Sequence, residues 1–97
     1  MARSGLRCRV SHHETGDHIE VSGALTARSQ QRLVDTMWRS AWAGDRHITV
    51  DLTGLTYFDG TAVMTVLGTK RIVERQHGCT VDLCGLDVAT SRIVALD

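Results

Sequence analysis

The chain has 97 residues, of which 42% are hydrophobic and 23% charged, and its formal net charge is zero. This length predicts one domain, and this composition excludes wholesale disorder. A neutral total gives no electrostatic reason to expect a nucleic acid or a membrane surface as a partner. No apolar run approaches the ~20 residues that cross a bilayer, so we expect no membrane insertion. No hydrophobic segment follows the first residues either, and we therefore expect no signal peptide and a cytoplasmic location.

The first two predicted elements form a β-hairpin. Residues 6–10 and 19–22 alternate apolar and polar side chains, as half-buried strands do. The polar segment 11–17 between them predicts a turn. Gly23 is expected to end the second strand.

The next elements alternate between helix and strand. Apolar side chains at helical spacing predict a first helix over residues 27–43, with Thr26 or Ser29 as its N-cap. Trp38 is expected in the core, whereas Trp42 fits either the core or an exposed partner anchor. The β-branched segment 47–52 predicts the third strand.

The rest of the chain repeats this alternation. Residues 53–56 are interpreted as a connector, and residues 60–76 predict a second helix, with Leu67 among its inward side chains. Residues 79–83 predict a fourth strand, and a third, short helix follows, with Ala89, Ile93 and Leu96 on one side. The order β-β-α-β-α-β-α predicts an α/β domain with a mixed, mostly parallel sheet.

One hydroxyl group lies where a phosphate would be well held. Thr61 comes at the start of the second predicted helix, two residues after Asp59. The first turn of a helix has unpaired N–H groups, and its dipole favours anions. The alternative interpretation is an ordinary helix-start hydroxyl with Asp59 as the N-cap. Both interpretations remain open on the residues alone.

No pattern of catalytic or metal-binding residues is present in the sequence. Asp51 lies on the outward alternation of its strand, and no second carboxylate is spaced to pair with Asp59. The chain has no HExxH motif, no glycine-rich phosphate loop and no Ser-His-Asp arrangement. We therefore expect a protein that is not an enzyme and that uses no cofactor and no metal.

The three cysteines suit a reducing compartment, because their number is odd. Cys8 and Cys79 fall on inward strand positions and are expected in the core. Cys84 alternates to the other side and is expected to be more exposed. A redox-sensing pair is the alternative interpretation.

Two motifs resemble those of the STAS domain, the anti-sigma factor antagonist family. The stronger one is VDLTGLTYFDGTAV at residues 50–63, which has the strand, leucine-containing loop, aspartate and hydroxyl acceptor of that family. The second is VSGALT at residues 21–26, similar to the Gly-Glu-Leu-Asp stretch before the first helix of the family. The chain differs from the family pattern at three positions: Gly60 replaces a serine, Ala62 a glycine and Thr26 an aspartate.

The resemblance implies a STAS-like fold in which residues 1–97 form a single domain without the usual C-terminal end of the family. It also implies a bacterial regulator of sigma-factor-dependent transcription that binds an anti-sigma factor of the serine-protein-kinase type. Phosphorylation of Thr61 would end that binding. The implied partner-binding surface consists of residues Gly23, Ala24, Leu25, Thr26, Asp59, Gly60, Thr61 and Met64.

Other functions and assemblies stay open. Small STAS proteins also serve as accessory subunits of membrane transporters, such as lipid-transport ABC systems. In that role the helix-start hydroxyl contacts an ATPase without being phosphorylated. A small enzyme or redox protein ranks last, because no catalytic pair is present. No nucleic acid partner is expected, and a homodimer is compatible with the family.

Overall fold

A computed structural model describes residues 5–95, with side chains described up to residue 91. The elements are β1 (Leu6–His13), β2 (Gly16–Leu25), α1 (Gln30–Trp42), β3 (His47–Phe58), α2 (Gly60–His77), β4 (Thr80–Cys84) and α3 (Leu86–Ala95). The sheet order is β1-β2-β3-β4. Strand β1 pairs antiparallel with β2, whereas β2 with β3 and β3 with β4 pair in parallel. The predicted order and the mixed, mostly parallel sheet are confirmed.

The core lies between one face of the sheet and the inner sides of the helices. Alternate strand residues such as Ile19, Val50 and Val81 are fully buried, as the period of two requires. Helices α1 and α2 contribute Leu33, Met37, Ala41, Ala62, Val66 and Val73 to the same cluster. On the opposite face of the sheet, Glu20 and Asp82 are exposed. The described part of the chain is therefore a sheet with one face packed against helices and the other polar.

Three boundaries predicted for the strands are wrong, and in each case the strand in the structure is longer than the predicted one. Segment 11–17 is mostly strand, because β1 continues to His13 and β2 begins at Gly16. Gly23 does not end β2, and the predicted connector 53–56 belongs to β3. Polar residues continue these strands because their backbone groups are paired and one face of the sheet is polar.

Irregular pairing between β2 and β3 explains why the sequence pattern did not predict the second half of β3 as a strand. The register between β2 and β3 shifts between Glu20 and Ser22, and again between Gly23 and Ala24. Each shift places one extra residue on β3, as in a β-bulge, so the alternation of side chains changes phase. Gly54 lies at the first shift, where a Cβ atom would be 2.8 Å from the carbonyl oxygen of Val21.

The helices agree with the sequence prediction except near their ends. Helix α1 begins three residues later than predicted, at Gln30, with Ser29 as the N-cap residue. Helix α2 ends at His77, and Gly78 has the left-handed conformation (φ +66°) that often follows a helix. Helix α3 occupies the predicted region; the predicted contacts of Ile93 and Leu96 lie outside the described side chains.

Several side-chain predictions can be compared with the structure. Trp38 packs partly buried against the core, as expected, whereas Trp42 is 75% exposed. Val10 and Leu67 were expected to face inward but are 37% and 38% exposed. Leu67 lies on the outer side of α2, because the buried stripe of that helix passes through Ala62, Val66, Thr69 and Val73. No helix among the described residues is both long and apolar enough to cross a bilayer.

Candidate functional site

The two segments predicted to form the partner-binding surface meet at one edge of the sheet. Strands β2 and β3 are parallel, and their last residues, Leu25 and Phe58, are paired. The backbone N–H of Asp59 donates a hydrogen bond to the carbonyl oxygen of Leu25 at 3.0 Å. The start of α2 is thereby attached to the end of β2, next to the loop that leads into α1.

Thr61 is exposed in the first turn of α2. Among the described residues no hydrogen bond uses its hydroxyl group, although its carbonyl oxygen accepts one from Thr65 at 3.1 Å. The hydroxyl is therefore accessible to a modifying enzyme or to a partner. Gly60 is also exposed, and a Cβ atom at this position would meet nothing within 4 Å.

Asp59 is the N-cap residue of α2, but its carboxylate does not cap the helix. Its backbone is extended (φ −95°, ψ 145°), and its side chain makes no hydrogen bond to the N–H groups of the helix. The Tyr57 hydroxyl donates to Asp59 Oδ1 at 3.0 Å instead. This hydrogen bond and the charge of Asp59 raise the pKa of Tyr57. Asp59 is thus the N-cap residue, as predicted, but its carboxylate accepts a hydrogen bond from Tyr57 rather than from the helix N–H groups.

The loop between β2 and α1 is held by hydrogen bonds around Ser29. The Ser29 hydroxyl donates to the carbonyl oxygen of Ala24 at 2.7 Å and accepts from the Thr26 N–H at 2.9 Å. The Thr26 carbonyl oxygen accepts from the N–H groups of Ser29 and Gln30 at 3.1 and 2.8 Å. Ala24 and Thr26 are therefore held in one geometry beside the start of α2.

Two arginines extend this surface, and sequence reasoning did not single them out. Arg28 and Arg32 line a shallow groove together with Ala24 and Thr26. Both arginines are exposed. Their spacing gave no signal, because scattered arginines are common on the exposed surface of a protein. Tyr57, which is 50% exposed, was likewise missed as a site residue.

No catalytic or metal-binding arrangement occurs among the described residues. The carboxylate of Asp51 accepts hydrogen bonds from the N–H and the hydroxyl of Thr53 at 2.9 and 2.7 Å. The backbone hydrogen bond from Thr53 is the largest cause that lowers the pKa of Asp51, so this group is ionised at neutral pH and poorly suited as a base. Within residues 5–95, no group of three or more histidines, cysteines and acidic residues is arranged to hold a metal ion.

The described cysteines have the properties of structural thiols. Cys79 is buried and Cys84 is exposed, as predicted, whereas Cys8, which was expected in the core, is half-buried and packs against it. Burial raises the pKa of Cys8 and of Cys79. Partial desolvation raises the pKa of Cys84, and the charges of three nearby aspartates raise it further. Reactive cysteines have lowered pKa values, so the redox interpretation gains no support.

Comparisons with known proteins place this geometry in context. A family model described as "Mlab, STAS domain" matches residues 8–96. An anti-sigma factor antagonist from Mycobacterium paratuberculosis superposes with a TM-score of 0.71 at 18% identity, over 98% of this chain and 80% of that one. A STAS-domain antisigma-factor antagonist from Rhodobacter sphaeroides gives 0.68 at 14% identity, over 87% and 90%. Unphosphorylated SpoIIAA gives 0.65 at 15% identity, over 94% and 84%. No curated protein gives a significant match.

Proposed function

The chain belongs to the STAS domain family, and from this premise we propose that it is a cytoplasmic anti-sigma factor antagonist switched by phosphorylation of Thr61. Its partner would be an anti-sigma factor of the serine-protein-kinase type. The observation that carries the proposal is the exposed Thr61 hydroxyl at the start of α2, which the Asp59–Leu25 hydrogen bond attaches to the end of β2. One of the similar solved structures is a phosphorylated form of the Bacillus cell fate determinant SpoIIAA.

The switch can work by charge without a change of fold. A phosphate on Thr61 would add about −1.5 to −2 charge beside the carboxylate of Asp59. The unpaired N–H groups and the dipole at the start of α2 would hold that phosphate locally. A partner that approaches with acidic groups would be repelled, because like charges across an interface are strongly unfavourable. The proposed surface therefore binds in one state and rejects the same partner in the other.

Substitution of Thr61 tests the switch directly. Thr61→Glu is expected to weaken binding to the anti-sigma factor about tenfold, because it places a permanent charge in the interface. Thr61→Ala is expected to bind and to resist phosphorylation. Thr65→Ala is the matched control, since Thr65 is an exposed threonine one turn later on the same helix. The measurements are isothermal titration with the anti-sigma factor and mass spectrometry after incubation with kinase and ATP. Phosphate on Thr65 rather than Thr61 would contradict the proposal.

A second candidate keeps the surface and changes the partner. In an accessory subunit of a lipid-transport ABC system, Thr61 would contact the ATPase and would not be phosphorylated. The match to a family model described as Mlab favours keeping this candidate, as do Gly60 and Ala62 at positions where the antagonists have serine and glycine. Co-purification of a tagged chain separates the two, since one predicts a transporter ATPase and the other a kinase-like anti-sigma factor.

A further inference from the structure

The zero net charge of the chain conceals an uneven distribution. Helices α1 and α2 contain five basic residues (Arg32, Arg39, Lys70, Arg71 and Arg75) and two acidic ones (Asp35 and Glu74), a net charge of +3. The total is zero, so the other 66 residues together carry −3. The opposite face of the sheet carries Arg7 and Arg9 together with Glu20, Asp51 and Asp82, a net charge of −1. The molecule therefore has a basic helical side and a more acidic sheet side.

The basic helical side also exposes large apolar side chains. Trp42 is 75% exposed, Ile72 48% and Leu67 38%. They lie on the outer side of the two helices, because the inner side is occupied by core residues such as Met37 and Val66. We call the surface formed by Trp42, Leu67, Ile72, Arg71 and Arg75 the outer helical surface.

The outer helical surface is broad and extends over both helices. The ring centroids of Trp42 and His77 lie 5.2 Å apart, so Trp42 is located at the C-terminal end of α2. Leu67 lies ten residues before His77, about 15 Å away along the helix axis. Apolar side chains at both ends of such a surface can enter one flat interface together. A flat partner can contact both ends of this surface at once, whereas a narrow partner would contact only a part of it.

We infer that the outer helical surface docks reversibly on an anionic lipid bilayer. Charge complementarity supports this partner, because each basic side chain near an anionic membrane strengthens binding by about fivefold. Tryptophan is well suited to the boundary between headgroups and acyl chains. The shortest extents of the molecule are 24 and 22 Å, whereas electrostatic screening acts over about 8 Å at physiological salt. A membrane therefore responds to the basic side and not to the neutral total.

Vesicle co-sedimentation tests the inference with the whole chain. We expect binding to phosphatidylglycerol-containing vesicles at low ionic strength, little binding to pure phosphatidylcholine vesicles, and release by high salt. Removing two charges in Arg71→Gln/Arg75→Gln should weaken binding about 25-fold. The matched control is Arg7→Gln/Arg9→Gln, which changes the net charge equally on the other face of the sheet and should bind like the parent.

Tryptophan fluorescence supplies an independent measurement. Anionic vesicles should shift the emission of Trp42 to shorter wavelength, and Trp42→Phe should remove that shift while Trp38 remains. Several results would overturn the inference: no binding to anionic vesicles, equal binding to neutral ones, or equal loss in both arginine pairs. Concentration-dependent dimerisation that is lost in Ile72→Ser, without vesicle binding, would assign the surface to a second copy of the chain.

Discussion

Substitution of Gly16 by alanine is expected to reduce the free energy of unfolding by about 3 kcal/mol or more. Gly16 opens β2 with φ +137°, a backbone conformation that residues with a Cβ atom rarely adopt. A Cβ atom there would lie 1.7 Å from the carbonyl oxygen of His47 and 2.8 Å from its carbonyl carbon. Both atoms belong to the backbone, so neither can rotate away. Strand β3 would have to move relative to the hairpin at the point where it begins.

Substitution of two other glycines distinguishes the two causes of this destabilisation, which are the backbone strain at positive φ and the overlap with His47. Gly44 also has positive φ (+93°), but a Cβ atom there would meet nothing within 4 Å, so Gly44→Ala measures backbone strain alone. Gly60 has neither feature, and Gly60→Ala should be neutral or slightly stabilising. Thermal unfolding is the measurement, and a loss of 3 kcal/mol corresponds to about 12–24 °C in a domain of this size. Equal losses for Gly16→Ala and Gly44→Ala would show that the overlap with His47 is unimportant.

Local patterns predicted which elements exist, because their apolar side chains follow the periods of helix and strand. The burial of Ile19, Val50 and Val66 agrees with that reasoning. The length of the strands could not be predicted in the same way. Their additional residues lie next to the polar face of the sheet or at shifts in register, where alternation is lost. Pairing with a distant strand, rather than the local sequence, keeps such residues extended.

The candidate site was predictable where it depends on position along the chain. Thr61 at a helix start follows from the strand–turn–helix pattern. The pairing of Leu25 with Phe58 was not predicted, because both residues lie beyond the predicted ends of their strands. The hydrogen bond of Tyr57 to Asp59 had no sequence signal, because it competes with an equally reasonable side-chain cap. The uneven distribution of charge over the molecule was also not predictable, since the net charge of the chain does not say which face each arginine occupies.

A buried acidic cluster at the other end of the sheet is the clearest feature that sequence reasoning missed. Asp17 was assigned to a turn, yet its side chain is only 6% exposed. Asp17 Oδ1 lies 2.6 Å from His12 Nδ1, and its Oδ2 accepts a hydrogen bond from the buried Ser40 hydroxyl at 2.7 Å. These contacts connect the hairpin to the C-terminal half of α1.

Asp45 lies close enough to Asp17 for each carboxyl group to shift the pKa of the other, and it completes the cluster. Its Oδ2 atom is buried and has no hydrogen-bond partner. Burial raises the pKa of Asp45, and the adjacent Asp17 carboxylate raises it further. Burial alone would also raise the pKa of Asp17, but hydrogen bonds from Asp45, Ser40 and His12 lower it. A protonated Asp45 can therefore donate a hydrogen bond to ionised Asp17, which satisfies the buried oxygen.

Asp17→Ala is expected to reduce the free energy of unfolding by about 3 kcal/mol, as expected for the loss of hydrogen bonds to a charged group. The buried Ser40 hydroxyl would lose its acceptor. Asp82→Ala is the matched control, because Asp82 pairs with His47 at 3.1 Å but is 58% exposed. Exposed pairs of this kind contribute less than about 1 kcal/mol. Urea unfolding measures both variants, and similar losses would contradict a structural role for the cluster.

The two pKa shifts also predict how stability depends on pH. Asp17 has a lowered pKa in the folded state, so its contribution is lost as pH falls below about 4, through that lowered pKa. Asp45 has a raised pKa, so its contribution is complete below about 4 and is lost as pH rises through the raised pKa.

Asp45→Asn keeps a donor for Asp17 at every pH. This variant should match the parent in mild acid and exceed it by about 1 kcal/mol at neutral pH. A variant no more stable than the parent at neutral pH would contradict the loss of the Asp45 contribution between mild acid and neutral pH.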